Sequence, residues 1–169
     1  MRFMRPRSYV LPLQSRYHPA MRHILVPPLI GQQVAAGRLA GRFDAVCLFV
    51  DTSGFTPLTT AMMVHGVEGA EAVADALAAV FEPLAAIVYA HGGFIAAFAG
   101  DAFKAIFPLD QPDAHRRAVA AAWEIRSQMA GRRQMPTPFG VFDVAVKATV
   151  ADGKVAWGVW LSADRSPIT

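Results

Sequence analysis

The 169-residue chain is poor in cysteine, lacks a long hydrophobic run and has no acidic residue before Asp44. The lone Cys47 cannot form an internal disulfide, which excludes a disulfide-stabilised secreted domain. The apolar piece after the first arginines, residues 9–13, is too short for the hydrophobic region of a secretory signal. The longest uncharged run, residues 83–100, is shorter than the roughly 20 residues of a membrane-spanning helix. We therefore expect a cytoplasmic protein without a transmembrane segment.

What the chain does have is enough apolar residues for one packed domain. Hydrophobic residues make up 54% of the chain and charged residues 17%, which is ample for a core at this length. Residues 1–43 carry seven arginines, whereas the rest carries nine basic and thirteen acidic residues. We therefore divide the chain into a basic, proline-containing lead-in, residues 1–42, and a domain, residues 43–169. The lead-in is either a solvated or packing segment, or a surface for phosphates, anionic lipid or an acidic partner.

Hydrophobic periodicity predicts a strand, a helix and a hairpin in the first part of the domain. Residues 44–50 form an apolar run rich in β-formers, which is typical of a buried strand. Apolar residues then recur at helical spacing and predict a helix over about residues 67–89, ended by Gly92 and Gly93. Residues 94–98 and 102–107 flank a Gly-Asp turn and predict a hairpin.

A second helix and a second hairpin are predicted in the remaining part. The helix follows Asp110 or Asp113, and its predicted buried face is formed by Ala118, Val119, Ala122, Ile125 and Met129. Alternation on both sides of Asp152-Gly153 predicts two strands joined by a tight turn. Helices packed on one face of a largely antiparallel sheet make an α+β fold.

A carboxylate stands where the first predicted strand gives way to turn-forming residues. Asp51 occupies this place, and Asp101 lies in the turn of the next hairpin. If these segments are neighbours in the sheet, the two carboxylates meet at one edge. Two hard oxygen ligands suit a divalent cation, above all Mg²⁺, which prefers one or two protein carboxylates plus substrate phosphate oxygens.

Asp51 is followed directly by a segment suited to anion binding, Thr52-Ser53-Gly54-Phe55-Thr56. Its glycine lets backbone N–H groups face an anion, and the helix beyond it adds a positive dipole. A plain structural explanation stays open, because Asp, Ser and Gly all favour turns and Gly100-Asp101 is common hairpin chemistry. An aspartic-protease loop is disfavoured, since the glycine comes three places after the aspartate and no second copy exists.

Three features carry a family resemblance: FVDTSGFTPLTT, the glycine pair at 92 and 93, and FAGDAFKAIF. In these the chain resembles the class III adenylate/guanylate cyclase catalytic domain, particularly the soluble adenylyl cyclase type and its bacterial relatives. The similarity runs over residues 43–161. The resemblance implies a ferredoxin-like α+β core with a largely antiparallel sheet, and pairing with a second cyclase domain in a homodimer or tandem. It implies conversion of a nucleoside triphosphate, with ATP favoured over GTP, to the 3′,5′-cyclic monophosphate and pyrophosphate.

The same resemblance assigns roles to individual residues. Asp51 and Asp101 match the two catalytic metal-binding aspartates, which hold two divalent cations, Mg²⁺ or Mn²⁺, for an in-line displacement. Thr52 is included in the metal site as well. The implied phosphate-binding residues are Thr52, Ser53, Gly54, Phe55, Thr56 and Gly100.

The chain also departs from the pattern of this family. Ala97 stands where many members carry a base-reading lysine, and the asparagine and arginine that stabilise the transition state normally lie beyond the last strand or come from the partner domain. We therefore expect a cyclase domain incomplete at its C-terminus, inactive as this chain alone and without a nucleic-acid partner. Two interpretations remain: part of an active nucleotidyl cyclase, or an inactive cyclase-homology module that binds nucleotide or a partner domain in signalling.

Overall fold

The computed structural model describes residues 27–159, so residues 1–26 of the lead-in and residues 160–169 of the predicted domain lie outside it. Four helices and six strands follow one another along the described chain. In chain order they are α1 (Pro28–Ala35), β1 (Ala40–Ser53), α2 (Phe55–Met63), α3 (Gly66–Ala90), β2 (Phe94–Ala99), β3 (Ala102–Pro108), α4 (Ala114–Ala130), β4 (Gln134–Thr137), β5 (Gly140–Asp143) and β6 (Ala145–Gly158).

The main sheet has four strands in the order β2-β3-β1-β6, and every neighbouring pair is antiparallel. One face of β1 presents Val46, Leu48 and Val50, which are all but completely buried with residues of α2, α3 and α4. A small separate sheet pairs β4 with β5. The predicted α+β fold, with helices packed on one face of an antiparallel sheet, is confirmed.

Helix α3 forms where its apolar spacing predicts a helix, one residue longer at each end than expected. Seven of its residues are buried along one side. By length and composition it could cross a membrane, with a mean hydropathy of 1.7 over an 18-residue stretch, but here it supplies a face of the core. It ends at Ala90 with His91 as its C-cap, after which Gly92 adopts φ 75° and the Gly93 N–H donates to the Val88 carbonyl at 3.0 Å.

Several predicted details are corrected by the structure. Strand β1 runs on to Ser53, so Asp51 lies inside the strand and not at its end. A separate helix, α2, precedes α3 and has a buried side of its own. In α4, Val119 is 57% exposed, so its assignment to the buried face is wrong.

The predicted hairpin at Asp152-Gly153 is also wrong. Strand β6 is continuous, and these residues pair with Val46 and Ala45 of β1. The tightest hairpin turns need positive φ at their central residues, and Gly153 does not adopt it. Because β1 offers partners along its whole length, pairing of β6 continues through the Asp-Gly step.

Candidate functional site

The two predicted aspartates lie side by side at one end of the main sheet. The register of β1 with β3 pairs Asp51 with Ala102, the residue next to Asp101. The Thr52 N–H donates a hydrogen bond to the Asp101 carbonyl at 3.0 Å. This bond ties the β2–β3 turn to the end of β1 and fixes the backbones of Asp51 and Asp101 as neighbours.

The charges of these two carboxylates are suited to a cation. Among residues 27–159, no cationic side chain forms an ion pair with Asp51 or Asp101. The same part of the chain contains no cluster of three or more His, Cys, Asp or Glu side chains that could hold a metal by itself. A pair of partly buried carboxylates therefore fits Mg²⁺ or Mn²⁺ that takes its other oxygen ligands from a substrate or water.

The Thr52 side chain is not brought to these carboxylates. Side chains alternate along a strand, and Thr52 lies on the helix-covered face, where it is 2% exposed. Its hydroxyl oxygen is buried without a hydrogen-bond partner among the described residues. Any contact of Thr52 with a cation or a phosphate would therefore involve its backbone.

The segment after β1 presents backbone donors that have no partner among the described residues, as the sequence suggests. Gly54 adopts φ 98° and is the N-cap of α2, but it supplies no side-chain cap. Pro57, in the first turn, has no N–H group. The N–H groups of Phe55 and Thr56 are therefore the first-turn donors left for an anion, with the positive end of the helix dipole behind them.

Two residues of this segment also fix its position. The Phe55 ring is buried and stacks on Phe81 with ring centroids 6.5 Å apart, so only the backbone of Phe55 is available to a ligand. The Ser53 hydroxyl donates to the Ala145 carbonyl at 3.3 Å. These contacts anchor the segment to the core and to the start of β6.

Gly54 is required for packing as well as for its backbone conformation. A Cβ atom at this position would collide with the Asp143 carbonyl oxygen. Asp143 is in turn held by the Arg133 guanidinium through hydrogen bonds of 3.0 and 3.3 Å, and the Val144 N–H donates to the Arg133 carbonyl at 2.7 Å. The end of the β4–β5 hairpin therefore packs directly against the segment in which the sequence predicts anion binding.

Lys147 is a site residue that the sequence analysis missed. In the register of β1 with β6, Lys147 lies directly opposite Asp51, so both side chains share the sheet face away from α2, α3 and α4. Lys147 is exposed and forms no ion pair with any residue in the range 27–159. Alternation along β6 could have placed Lys147 on the face opposite the apolar one. Its pairing with Asp51 could not be predicted, because the sequence analysis paired this segment in a hairpin with the residues after Gly153.

The remaining predicted positions border the carboxylates. Gly100 adopts φ 61° in the exposed turn before Asp101, where an added Cβ would meet open space. Ala97 lies on β2 opposite Lys104 of β3, and Lys104 in turn lies opposite Phe49 of β1. The site thus combines two carboxylates, two lysines and a helix N-terminus at one end of the sheet.

No family model and no curated protein sequence matches this chain. Solved structures do match it in fold. The guanylyl cyclase domain of the RhoGC fusion protein from the aquatic fungus Blastocladiella emersonii is 21% identical, with a TM-score of 0.55 over 75% of this chain and 66% of that one. The guanylate cyclase domain of RhGC from Catenaria anguillulae, in complex with GTP, is 20% identical, with a TM-score of 0.56 over 73% of this chain and 64% of that one.

An adenylyl cyclase is matched equally well. A bacterial light-regulated adenylyl cyclase is 16% identical, with a TM-score of 0.60 over 82% of this chain and 40% of that one. The chain thus spans less than two thirds of the length of each of these proteins. Adenylyl and guanylyl cyclases stand side by side among the matches, so the likeness does not distinguish ATP from GTP. The chain has the fold of class III adenylyl/guanylyl cyclase catalytic domains.

Proposed function

We propose that this domain binds a metal–nucleoside triphosphate and contributes to its conversion to the 3′,5′-cyclic monophosphate and pyrophosphate. One observation carries the proposal: the β1–β3 register and the Thr52–Asp101 hydrogen bond make neighbours of Asp51 and Asp101, neither of which forms an ion pair within residues 27–159. They lie next to the free N–H groups that begin α2. Carboxylates for a cation beside amides for phosphate oxygens are the arrangement that a metal–triphosphate requires.

In the proposed reaction the ribose 3′-oxygen attacks the α-phosphorus. The new bond joins the 3′-oxygen to this phosphorus, the bond to the bridging oxygen between the α- and β-phosphates breaks, and the 3′-hydroxyl proton leaves to water. Two divalent cations, when bound, would stabilise the attacking oxygen and the leaving pyrophosphate. Asp51 and Asp101 would hold them.

The other residues of the site would bind and orient the triphosphate. The Phe55 and Thr56 N–H groups would donate to its terminal oxygens, in a position fixed by Gly54 and the Asp143 carbonyl. Lys147, opposite Asp51, would neutralise phosphate charge that the cations leave uncompensated. Gly100 would give the turn beside Asp101 its positive φ of 61°.

A second candidate function is nucleotide binding without turnover. The resemblance implies that an asparagine takes part in transition-state stabilisation, and these 169 residues contain no asparagine. Groups that act only in the transition state affect the rate more than the affinity. This chain by itself is therefore expected to bind metal–nucleotide while turning it over slowly, unless another cyclase domain supplies the absent group. A cytoplasmic location and the pairing with such a domain remain predictions.

Product analysis tests the proposed reaction. Purified chain is incubated with Mn²⁺ and ATP or GTP, and cyclic nucleotide and pyrophosphate are measured together. If the proposed reaction takes place, the slow turnover of the chain yields equal amounts of the two products, and the rate is lower by at least a further factor of about 10² in Asp51→Asn and Asp101→Asn, because each substitution removes a charged cation ligand. Asp110→Asn, at an exposed turn outside the site, is the matched control.

Other outcomes of this assay would separate the candidates. Release of inorganic phosphate in place of pyrophosphate, or an undiminished rate in both aspartate variants, would contradict the proposed reaction. No product, combined with metal-dependent nucleotide binding, would support the second candidate.

A further inference from the structure

A cavity of about 510 Å³ lies where the lead-in joins the described chain. Its lining comes from α1, the end of α3, the start of β2 and the end of β3, and includes Pro28, Leu29, Tyr89, Phe94, Pro108 and Gln111. None of the lining side chains carries a charge. Helix α1 begins at this cavity, yet none of its residues is buried. The cavity therefore offers apolar surface to a further segment of chain.

The segment that leads to this cavity is apolar over its last three residues. Ile24, Leu25 and Val26 come directly before Pro27, and the next residue, Pro28, lines the cavity. Residues 1–26 lie outside the part of the chain that the structure describes. Burial of apolar side chains is favourable, and only Pro27 separates these three residues from the cavity lining. The cavity is therefore within their reach.

The outer face of α3 carries four carboxylates, which we call the acidic stripe: Glu68, Glu71, Asp75 and Glu82. All four are exposed, and none forms an ion pair within residues 27–159. At 3.6 residues per turn they lie within about 60° of one another around the helix axis, away from the buried side. Like charges three or four residues apart destabilise a helix, and α3 has no basic residue to offset them. The stripe therefore favours cations from elsewhere.

The acidic stripe leads to the cavity. Tyr89, which lines the cavity, comes seven residues after Glu82 and so lies about two turns along the same face. At 1.5 Å per residue, Glu82 is roughly 10 Å and Glu68 roughly 30 Å from Tyr89 along the helix axis. A chain that fills the cavity can therefore continue over the stripe.

The lead-in carries the complementary charge at suitable distances. Residues 1–26 contain five arginines and no acidic residue. Arg22 and Arg16 precede Pro28 by six and twelve residues, so an extended chain can carry them up to roughly 20 Å and 40 Å from it. The shorter span is enough to reach Glu82, and the longer one covers the whole stripe.

We propose that residues 1–26 dock along the outer face of α3, with residues 24–26 in the cavity and the arginines before them on the acidic stripe. The uncharged cavity accepts the apolar residues, and guanidinium groups pair with the carboxylates. The inference goes beyond the function proposed above and does not depend on it. Helix α3 packs on the sheet face that carries Leu48, whereas Asp51 lies on the other face.

Limited digestion of the full chain with trypsin tests the contact with the stripe. Cleavage after the lead-in arginines follows the fraction of molecules in which the lead-in is released. Asp75→Asn/Glu82→Gln removes two charges of the stripe and should speed this cleavage about fivefold at low salt. Asp110→Asn/Asp152→Asn removes two charges from exposed positions elsewhere and should be digested like the wild type. High salt should bring the wild type toward the rate of the stripe variant.

A second set of variants tests the contact with the cavity. Replacement of all three residues 24–26 by serine should speed cleavage after Arg16 at least about tenfold, because three apolar side chains lose their burial. Replacement of Val10, Leu11 and Leu13 by serine is the matched control and should leave the rate unchanged. Equal rates in the wild type and in both the stripe and cavity variants would overturn the proposal. Faster cleavage in only one of these two variants would also overturn it, because the docking requires both contacts.

Zero-length crosslinking locates the lead-in on the surface. In Arg22→Lys, a carbodiimide should join the introduced amine to Glu82 or Asp75 of the same molecule, and peptide mass spectrometry identifies the link. High salt should suppress this link. A link to Asp51 or Asp101 instead would place the lead-in over the proposed metal site, and a link found only in covalent dimers would identify a second copy as the occupant. Either result would overturn the proposal and leave the proposed function untouched.

Discussion

At the scale of single residues, Gly54 shows how one position serves backbone conformation and packing together. The sequence suggested a glycine that lets amide groups face an anion, and the observed φ of 98° agrees with that purpose. The structure adds contact with the Asp143 carbonyl, which leaves no space for a side chain. This second reason involves residues almost ninety positions apart, so no local pattern could have indicated it.

Gly54→Ala should therefore be strongly destabilising. The substitution forces a left-handed conformation on alanine and overpacks the contact with Asp143, which together cost roughly 2–4 kcal/mol. Urea unfolding measures the loss. Gly100→Ala is the matched control, since Gly100 also has positive φ but an added Cβ meets open space, and should cost about 1 kcal/mol. Equal losses in the two variants would contradict the packing role of Gly54.

At the scale of elements, the prediction succeeded where local periodicity decides the structure. The spacing of apolar residues in α3 and the Gly-Asp turn between β2 and β3 are local signals, and both elements form within a residue or two of their expected bounds. The predictions failed where a distant partner decides. Strand β6 passes through Asp152-Gly153 because β1 pairs with it from end to end. The length of this pairing cannot be deduced from the sequence of either strand alone.

The site follows the same division. Asp51 and Asp101 stand out in the sequence as carboxylates at turn signals, so both could be named from local patterns. Lys147 and Lys104 acquire their place only from the registers of β6 and β3 against β1. A cross-strand relation of this kind depends on tertiary pairing and cannot be deduced from period-2 alternation alone.

The continuity of β6 predicts an unusual effect of mutation at an Asp-Gly step. Gly153→Thr should leave stability unchanged or raise it by up to about 1 kcal/mol, because a β-branched residue suits a strand and glycine weakens one. Gly140→Thr is the matched comparison. Gly140 begins β5 with φ 135°, and threonine there should cost about 1–3 kcal/mol.

Urea unfolding of these two glycine variants provides the measurement. A large loss of stability in Gly153→Thr would mean that residues 152–153 form a turn and that β6 is interrupted.

At the scale of the whole molecule, the antiparallel sheet gathers the candidate ligands from separate parts of the chain. Strand β1 is central to this arrangement, since β3 brings Asp101 and Lys104 to one side of it and β6 brings Lys147 to the other. Helix α2 begins directly after β1 and points its first N–H groups toward the same end. None of the proposed ligands comes from residues 1–26 of the basic lead-in.

Removal of residues 1–26 should therefore leave metal–nucleotide affinity unchanged. The shortened chain keeps α1, β1 and every residue assigned to the site. Isothermal titration with Mn²⁺ and a non-hydrolysable triphosphate analogue compares it with the full chain at low and high salt. A large loss of affinity that depends on salt would show that arginines of the lead-in reach the phosphates.

The central claim is that Asp51 and Asp101 together bind the divalent cations that accompany a bound triphosphate. The most direct test is the melting temperature of the full chain with Mn²⁺ and a non-hydrolysable triphosphate analogue, compared with each component alone. A ligand at 100 times its dissociation constant stabilises the folded state by about 2.7 kcal/mol. We expect the wild type and Asp110→Asn to show an increase with both components present. Asp51→Asn, Asp101→Asn and the double variant should all lack it, because removal of either ligand disables the shared site. An equal increase in the wild type and the three site variants would contradict the claim.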